Sequence, residues 1–199
     1  RLFVGDDTGK LTAYNIKNGK RLWQFSVQRR IVGDCAAENG IVVFGSADST
    51  VYGVSSANGK MIWKLKTQGP VLGAVRIVNG LAYIGASDNK MRCIDTKTGK
   101  EVWEYSGVTG YIVTRPLVTD GKVIFGAWDN TLYALDASNG SEVWKWKGGK
   151  DGMHFSPASA WPVSANGKVF IAAPDRYLTA IDLKTGSTVW RTNASMVRE

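Results

Sequence analysis

Histidine occurs once, as His154, cysteine twice and proline five times in 199 residues. Cys35 and Cys93 are too few and too far apart for a disulfide framework or a metal motif, and no His/Asp/Glu cluster has metal spacing. Cys93 occupies a recurring slot held elsewhere by Ala13, Gly53, Ala134 and Ala180, so it reads as a small buried apolar residue. No stretch approaches the roughly 18 to 20 apolar residues that span a bilayer, and no signal-peptide pattern is present. A glycine-rich phosphate loop opening a helix and a Gly-x-Ser-x-Gly nucleophile elbow are also missing.

Positive charge is in excess: the formal net charge is +8. Such a balance favours acidic partners such as glycans, anionic lipid surfaces or nucleic acid. Distribution matters more than the sum. Lys17, Lys20, Arg21, Lys60, Lys97, Lys100 and Lys184 all stand beside a repeated turn glycine, where solvent is the expected neighbour. With no RNP-like, zinc-finger or helix-turn-helix pattern, the expectation is a solvated rim and no nucleic-acid partner.

What the chain does contain is a repeat. Five copies share a small opening residue, a small residue at plus 8, glycine at plus 14 and tryptophan at plus 18. They open at Gly5, Gly45, Gly85, Gly126 and Ala172, so successive spacings are 40, 40, 41 and 46 residues. An aspartate at plus 3 appears as Asp48, Asp88, Asp129 and Asp175, with Thr8 in the first copy. A period of this size means an array of supersecondary units. The approximate units are 1–40, 41–80, 81–121, 122–167 and 168–199, within one domain.

Each unit begins with a short apolar run, such as Ile41 to Phe44 or Val123 to Phe125, whose β-branched and aromatic content predicts a strand covered on both faces. A polar turn leads to a second strand with a small central residue, as in Thr131 to Leu135. Asp95, Asp136 or Asp182, followed four residues later by glycine, then makes a turn, because glycine accepts positive φ and aspartate bonds nearby backbone. The third strand carries the tryptophan. A fourth apolar segment, at Ile31-Val32, Val71-Leu72, Ile112-Val113 and Phe155 to Val163, leads to Asn39-Gly40, Asn79-Gly80, Asp120-Gly121 and Asn166-Gly167, which are hairpin signals. The fold class is therefore all-β: a β-propeller of four-stranded antiparallel blades, about four and three-quarter blades in a partial or open ring.

The stretch from small residue to tryptophan, as in Ala134 to Trp144, Cys93 to Trp103 and Ala180 to Trp190, resembles the tryptophan-docking motif of the pyrroloquinoline-quinone-type repeat. The resemblance covers essentially the whole chain. It implies that Trp23, Trp63, Trp103, Trp144 and Trp190 lie over backbone near the motif glycine of a neighbouring blade. The family includes quinone-dependent alcohol and sugar dehydrogenases, the lipoprotein scaffold of the outer-membrane barrel-assembly machinery, stress-sensing receptor domains, and modules fused to kinases or phosphoesterases. It implies an extracytoplasmic, periplasmic or secreted location, and in some members a membrane-associated assembly. Members usually close with seven or eight blades, roughly 280 to 320 residues at this period, so a segment of a larger protein, or a partner chain, is expected.

Fold alone does not choose a function. The alcohol dehydrogenases of this family hold quinone and calcium on the axis with a pair of adjacent cysteines, which this chain lacks, and that speaks against the subclass that uses them. The preferred expectation is a non-catalytic scaffold or recognition module without cofactor, binding a protein, peptide or glycan, or the remaining blades. The alternative is a fragment of a quinoprotein dehydrogenase using pyrroloquinoline quinone with calcium. Topology places any site on the face that carries the turns at Asp48, Asp88, Asp129 and Asp175 together with the links between blades. The link from Lys147 to His154 is the longest and accounts for the 46-residue spacing. Arg30, Asp34, Arg115, Trp128, Asp129, His154 and Trp161 are the candidate ligand-binding residues. Asp34 and Arg115 share one slot of the innermost strand with Ala74 and Trp161, which suits either a ligand site or a structural channel pair.

Overall fold

The β-branched and aromatic runs do form strands, arranged as five antiparallel sheets in a computed structural model that describes residues 1–148, 160–172 and 177–193. The first sheet has three strands, β1 (Leu2–Gly5), β2 (Lys10–Tyr14) and β3 (Arg21–Ser26). The second holds β4 (Ala36–Glu38), β5 (Ile41–Ser46), β6 (Thr50–Ser55) and β7 (Met61–Lys66), and the third β8 (Arg76–Val78), β9 (Leu81–Gly85), β10 (Met91–Asp95) and β11 (Glu101–Tyr105). The fourth contains β12 (Leu117–Thr119), β13 (Lys122–Ala127), β14 (Thr131–Asp136) and β15 (Glu142–Lys147). The fifth contains β16 (Val163–Ala165), β17 (Lys168–Ala172), β18 (Tyr177–Asp182) and β19 (Thr188–Asn193). Sequence order equals spatial order in every sheet, as an up-and-down blade requires. Neighbouring inner strands β4, β8, β12 and β16 approach one another in turn, so these three-residue strands line the axis of a partial propeller.

One expectation is corrected. The pairs Ile31-Val32, Val71-Leu72 and Ile112-Val113 are not the innermost strands; those begin four or five residues later and end at the Asn-Gly or Asp-Gly turns. Ile31, Val71 and Ile112 belong instead to the links, where each is buried over the opening glycine of a repeat. A Cβ built on Gly5, Gly45 or Gly85 would lie 2.4, 2.3 or 2.2 Å from the side chain of Ile31, Val71 or Ile112. Glycine is required there by the close approach of a β-branched plug.

The small residue at plus 8 has a similar cause. Ala13, Gly53, Cys93, Ala134 and Ala180 each pair directly with the tryptophan of their own blade, and the register shifts by a bulge immediately afterwards in all five sheets. The indole lies over its small cross-strand partner and reaches the next blade. Trp23, Trp63, Trp103 and Trp144 donate through Nε1 to the carbonyls of Ser56, Thr96, Ala137 and Leu183 at 3.1, 2.6, 3.0 and 3.0 Å. The rings also press on Gly59, Gly99, Gly140 and Gly186, where a Cβ would meet them at 2.5 to 2.7 Å.

Most of the core lies in the seams between blades, one cluster per seam. Phe44 with Leu11 and Val54 fills the first, Ile84 with Val43 and Trp63 the second, Phe125 with Tyr83 and Trp103 the third, and Ile181 with Leu132 and Trp144 the fourth. A fully buried Phe or Ile stabilises by roughly 1.5 to 3 kcal/mol, so the seams tie the sheets into one body.

Among the described residues, two halves of this contact have no counterpart. Trp190 is 41% exposed, against 7 to 8% for Trp63, Trp103 and Trp144, and Gly19 has nothing within 4 Å of its Cβ position. Gly19 and Gly59 share positive φ, +67° and +72°. Gly19→Ala should therefore cost only the left-handed backbone penalty of about 1 kcal/mol. Gly59→Ala adds a collision with Trp23 and should cost at least about 1 kcal/mol more, by the overpacking it forces. Urea unfolding of the two variants checks the difference; equal losses would mean that Trp23 does not hold the first seam closed.

Candidate functional site

The face of interest carries the links and the turns that follow the second strand of each four-stranded blade. Backbone bonds sew each link to the turns on either side. Ala47 N donates to Arg30 O at 2.9 Å, Val71 N to Ser46 O at 3.0 Å, Ser87 N to Pro70 O at 2.8 Å and Trp128 N to Tyr111 O at 3.0 Å. The residue before each turn tip can therefore present its side chain from a fixed backbone.

The repeated aspartates complete this sewing. In the fourth sheet, Asp129 Oδ1 accepts from Thr131 N at 3.1 Å, and Oδ2 accepts from Thr109 N at 3.1 Å, Thr109 Oγ1 at 3.2 Å and the Tyr133 hydroxyl at 2.7 Å. Burial, aided by the hydrogen bond to Asp129 and its charge, pushes the Tyr133 hydroxyl up from the ordinary tyrosine value, so it stays a proton donor. Asp129 was expected as a ligand contact; with both oxygens engaged, it serves to fasten link, turn and β14. Asp48 repeats only part of this: its Oδ2 accepts from the Tyr52 hydroxyl at 2.9 Å, and among the described residues its buried Oδ1 has no hydrogen-bond partner. Asp175 lies outside the described residues.

In the third sheet the tyrosine slot holds Arg92, and the arrangement becomes ionic. Arg92 is 3% exposed, binds Asp88 through both terminal nitrogens at 3.0 and 2.6 Å, and reaches Glu101 at 3.3 Å and Glu104 at 3.0 Å. Asp88 Oδ2 also accepts from Gln68 N of the link at 3.1 Å. Burial works against the Asp88 charge, but the hydrogen bonds and charge of Arg92, with Gln68 and Lys90 backbone donors, hold its carboxyl below the usual range. The sequence reading missed this cluster. Arg92 sits one residue before the small slot, in the register of Tyr52 and Tyr133, and that break in the repeat was its visible signal.

The remaining candidates separate. Arg30 and Asp34 are exposed on the link between the first two sheets. Asp34 and Arg115 precede the inner strands β4 and β12 by two residues and do not lie within them, a correction to the sequence reading. Among the described residues no ion pair joins the two, because they stand two blades apart. The slot is still shared: Ala74 is buried, and Trp161 is 56% exposed. Arg115 instead meets its equivalent in the next blade, its guanidinium 5.9 Å from the centre of the Trp161 ring. His154 lies outside the described residues, as does most of the link from Lys147 to His154.

Tyr111, unremarked as a site residue in the sequence, joins this group. It is 57% exposed and Trp128 is 48% exposed. Their backbones touch: besides the Trp128 N to Tyr111 O bond, a Cβ on Gly110 would lie 2.4 Å from Asp129 N and 2.7 Å from the Trp128 carbonyl carbon. The equivalent positions elsewhere are Arg30 with Ala47, and Pro70 with Ser87. On the link face Tyr111 and Trp128 make one exposed aromatic pair, and Arg115, four residues further along the same link, makes a cation–aromatic pair with Trp161 of the next blade.

Among the described residues no group of three or more His, Cys, Asp or Glu could hold a metal ion, and Cys35 and Cys93 stand in different blades. A calcium site needs clustered oxygen ligands. The described carboxylates of the link face do not supply that set: Asp88 and Asp129 are engaged in the fold, and Asp48, with one oxygen on Tyr52, has no further acids grouped with it. These residues do not fit a quinone and calcium centre. Among the described residues no helix is long and apolar enough to cross a membrane.

Comparison with solved structures places this architecture among known propellers. BamB from Moraxella catarrhalis superposes with a TM-score of 0.77 at 20% identity, over 95% of this chain and 57% of that one. The computationally designed Ika8 protein gives 0.81 at 20% identity, over 96% and 57%. The quinohemoprotein alcohol dehydrogenase ADHIIG from Pseudomonas putida HK5 gives 0.82 at 15% identity, over 98% and 40%. The chain thus spans little more than half the length of the first two and two fifths of the third. No curated protein matches it. At these identities the structural likeness concerns the fold, which a designed protein and a dehydrogenase share. The sequence itself matches the family described as outer membrane protein assembly factor BamB through two overlapping stretches, residues 1–106 and 71–199. With both stretches together covering every blade, the chain belongs to that family of pyrroloquinoline-quinone-type repeat propellers.

Proposed function

We propose that this protein is a non-catalytic scaffold or recognition module that binds a protein partner on its link face and acts outside the cytoplasm in the assembly of outer-membrane proteins. The observation that carries this reading is the contrast on that face. Asp88 and Asp129, which could do chemistry, are hydrogen-bonded into the fold, while Tyr111 and Trp128 stand exposed and Arg115 lies against exposed Trp161. Tyr, Trp and Arg are the residue types that dominate protein interfaces, whereas catalysis needs acid, base or metal ligands held in reach of one another. Membership in a family described by an assembly function supports the same direction.

The test replaces Tyr111 with a photo-reactive benzoylphenylalanine in the host cell, irradiates, and identifies the adducts by mass spectrometry. Adducts with components that insert outer-membrane β-barrels are expected. The purified protein, given pyrroloquinoline quinone and calcium with ethanol or glucose, should not reduce an electron-accepting dye. Quinone-dependent reduction would overturn the proposal in favour of a dehydrogenase.

A further inference from the structure

We propose that two pairs on the link face, Tyr111 with Trp128 and Arg115 with Trp161, together bind an extended protein segment in which a carboxylate side chain stands next to an aromatic or aliphatic one. This inference rests on the recognition-module reading and gives its ligand a chemistry.

The surface is pre-organised. Thr109 is fastened to Asp129 by two hydrogen bonds, Gly110 packs backbone to backbone against Trp128 and Asp129, and Trp128 N donates to Tyr111 O. Both rings therefore project from a seam that cannot splay without breaking those bonds. Binding orders little backbone here, which removes a cost that a loose loop would carry. On the next blade, Trp161 provides a third ring beside Arg115.

Charge selects the ligand. Among the described residues Arg115 has no carboxylate within ion-pair distance; its recorded partner is the Trp161 ring, which leaves its hydrogen-bonding edges for an incoming anion. Asp129, next to Trp128 in the chain, is held by four hydrogen bonds from the fold and makes no ion pair with Arg115. A sugar needs free planar acceptors beside an aromatic platform, and the carboxylate beside Trp128 is largely committed to the fold. A carboxylate for the guanidinium and an apolar side chain for Trp128 and Tyr111 match what is present. The net charge of +8 steers such an acidic segment inward.

The experiment pans a random heptapeptide library displayed on phage against the immobilised protein, with the Trp128→Ala variant for counter-selection. Enriched sequences should carry Asp or Glu adjacent to Phe, Trp, Leu or Ile. A synthetic peptide of the enriched sequence should lose about tenfold in affinity on Arg115→Gln and at least about tenfold on Trp128→Ala, the size of a hot-spot contact. Its Glu→Gln counterpart should bind Arg115→Gln and wild-type protein equally. These positions are exposed or half-exposed, so unchanged thermal unfolding of each variant excludes misfolding as the cause. The proposal falls if no sequence survives counter-selection, if survivors lack a carboxylate, or if Arg115→Gln leaves their affinity unchanged. It falls equally if soluble oligosaccharides bind and Trp128→Ala abolishes that binding, which would make this a glycan site. Cross-linked partners at Tyr111 together with failed panning would overturn the ligand chemistry alone and leave the scaffold reading standing.

Discussion

Trp103→Ala should lower the unfolding free energy by about 3 to 5 kcal/mol, while Trp190→Ala, the same residue in the same repeat slot, should cost under about 1.5 kcal/mol. The difference comes from the seam. Trp103 is 8% exposed, packs beside Tyr83 with ring centres 6.0 Å apart, covers Gly140 and donates to the Ala137 carbonyl. Alanine leaves a cavity between two sheets that meet largely through such contacts, and it withdraws a donor from a carbonyl whose other recorded partner, the Tyr83 hydroxyl, is 3.4 Å away. Trp190 is 41% exposed and lies beside Phe170 within its own sheet. Trp103→Phe separates the contributions: the ring is mostly kept and the N–H lost, for an expected cost nearer 1 to 2 kcal/mol. Urea unfolding followed by tryptophan fluorescence measures all three. Equal losses for Trp103→Ala and Trp190→Ala would show that stability resides within blades and not between them.

The sequence made most of this architecture legible because one repeat states the same packing problem five times. Glycine, small residue, glycine and tryptophan recur since each meets a fixed neighbour: a β-branched plug, the cross-strand indole, or the indole of the preceding blade. Where the reading failed, local pattern and tertiary role parted. Ile31-Val32 and its equivalents look like strand residues, yet their task is to cover the opening glycines, and the inner strand falls to the less apolar Ala36–Glu38, Arg76–Val78 and Leu117–Thr119 beside the Asn-Gly or Asp-Gly turns. The site was half legible. Trp128, Arg115 and Trp161 stood out because they break the repeat, whereas Tyr111 did not, since link residues vary and exposure cannot be read from one. Asp129 misled in the opposite direction. A carboxylate in a turn on the expected face resembles a ligand until its four donors are counted. The 46-residue spacing remains the clearest irregularity, and its modified link, with His154, lies mostly outside the described residues.

The second large effect is expected at Arg92, where leucine should destabilise the protein by about 3 to 5 kcal/mol at neutral pH, because it strands a buried charge. The Asp88 side chain is 3% exposed and the Arg92 side chain 4%, while Glu101 and Glu104 remain 35% and 27% exposed. Once the guanidinium is gone, the two glutamates can turn toward water, but Asp88 keeps only backbone donors such as Gln68 N. The cost is therefore mainly that of one carboxylate left without its counter-ion, and it should depend on pH. In the wild type the folded carboxyl of Asp88 is held below its unfolded value of about 3.9. That contribution is fully present above the unfolded pKa and is lost as pH falls through the folded one. In the Leu variant the pairing is absent and burial favours the protonated acid, so acidification removes the penalty as well. Measured by urea unfolding, the gap between wild type and Arg92→Leu should be widest near pH 7 and should shrink at pH 3. Asp88→Asn combined with Arg92→Leu should recover part of the loss at pH 7, since no charge then remains buried. A gap that stays constant with pH, or a double variant no better than the single, would place the effect in lost packing of the arginine stem and not in the ion pair.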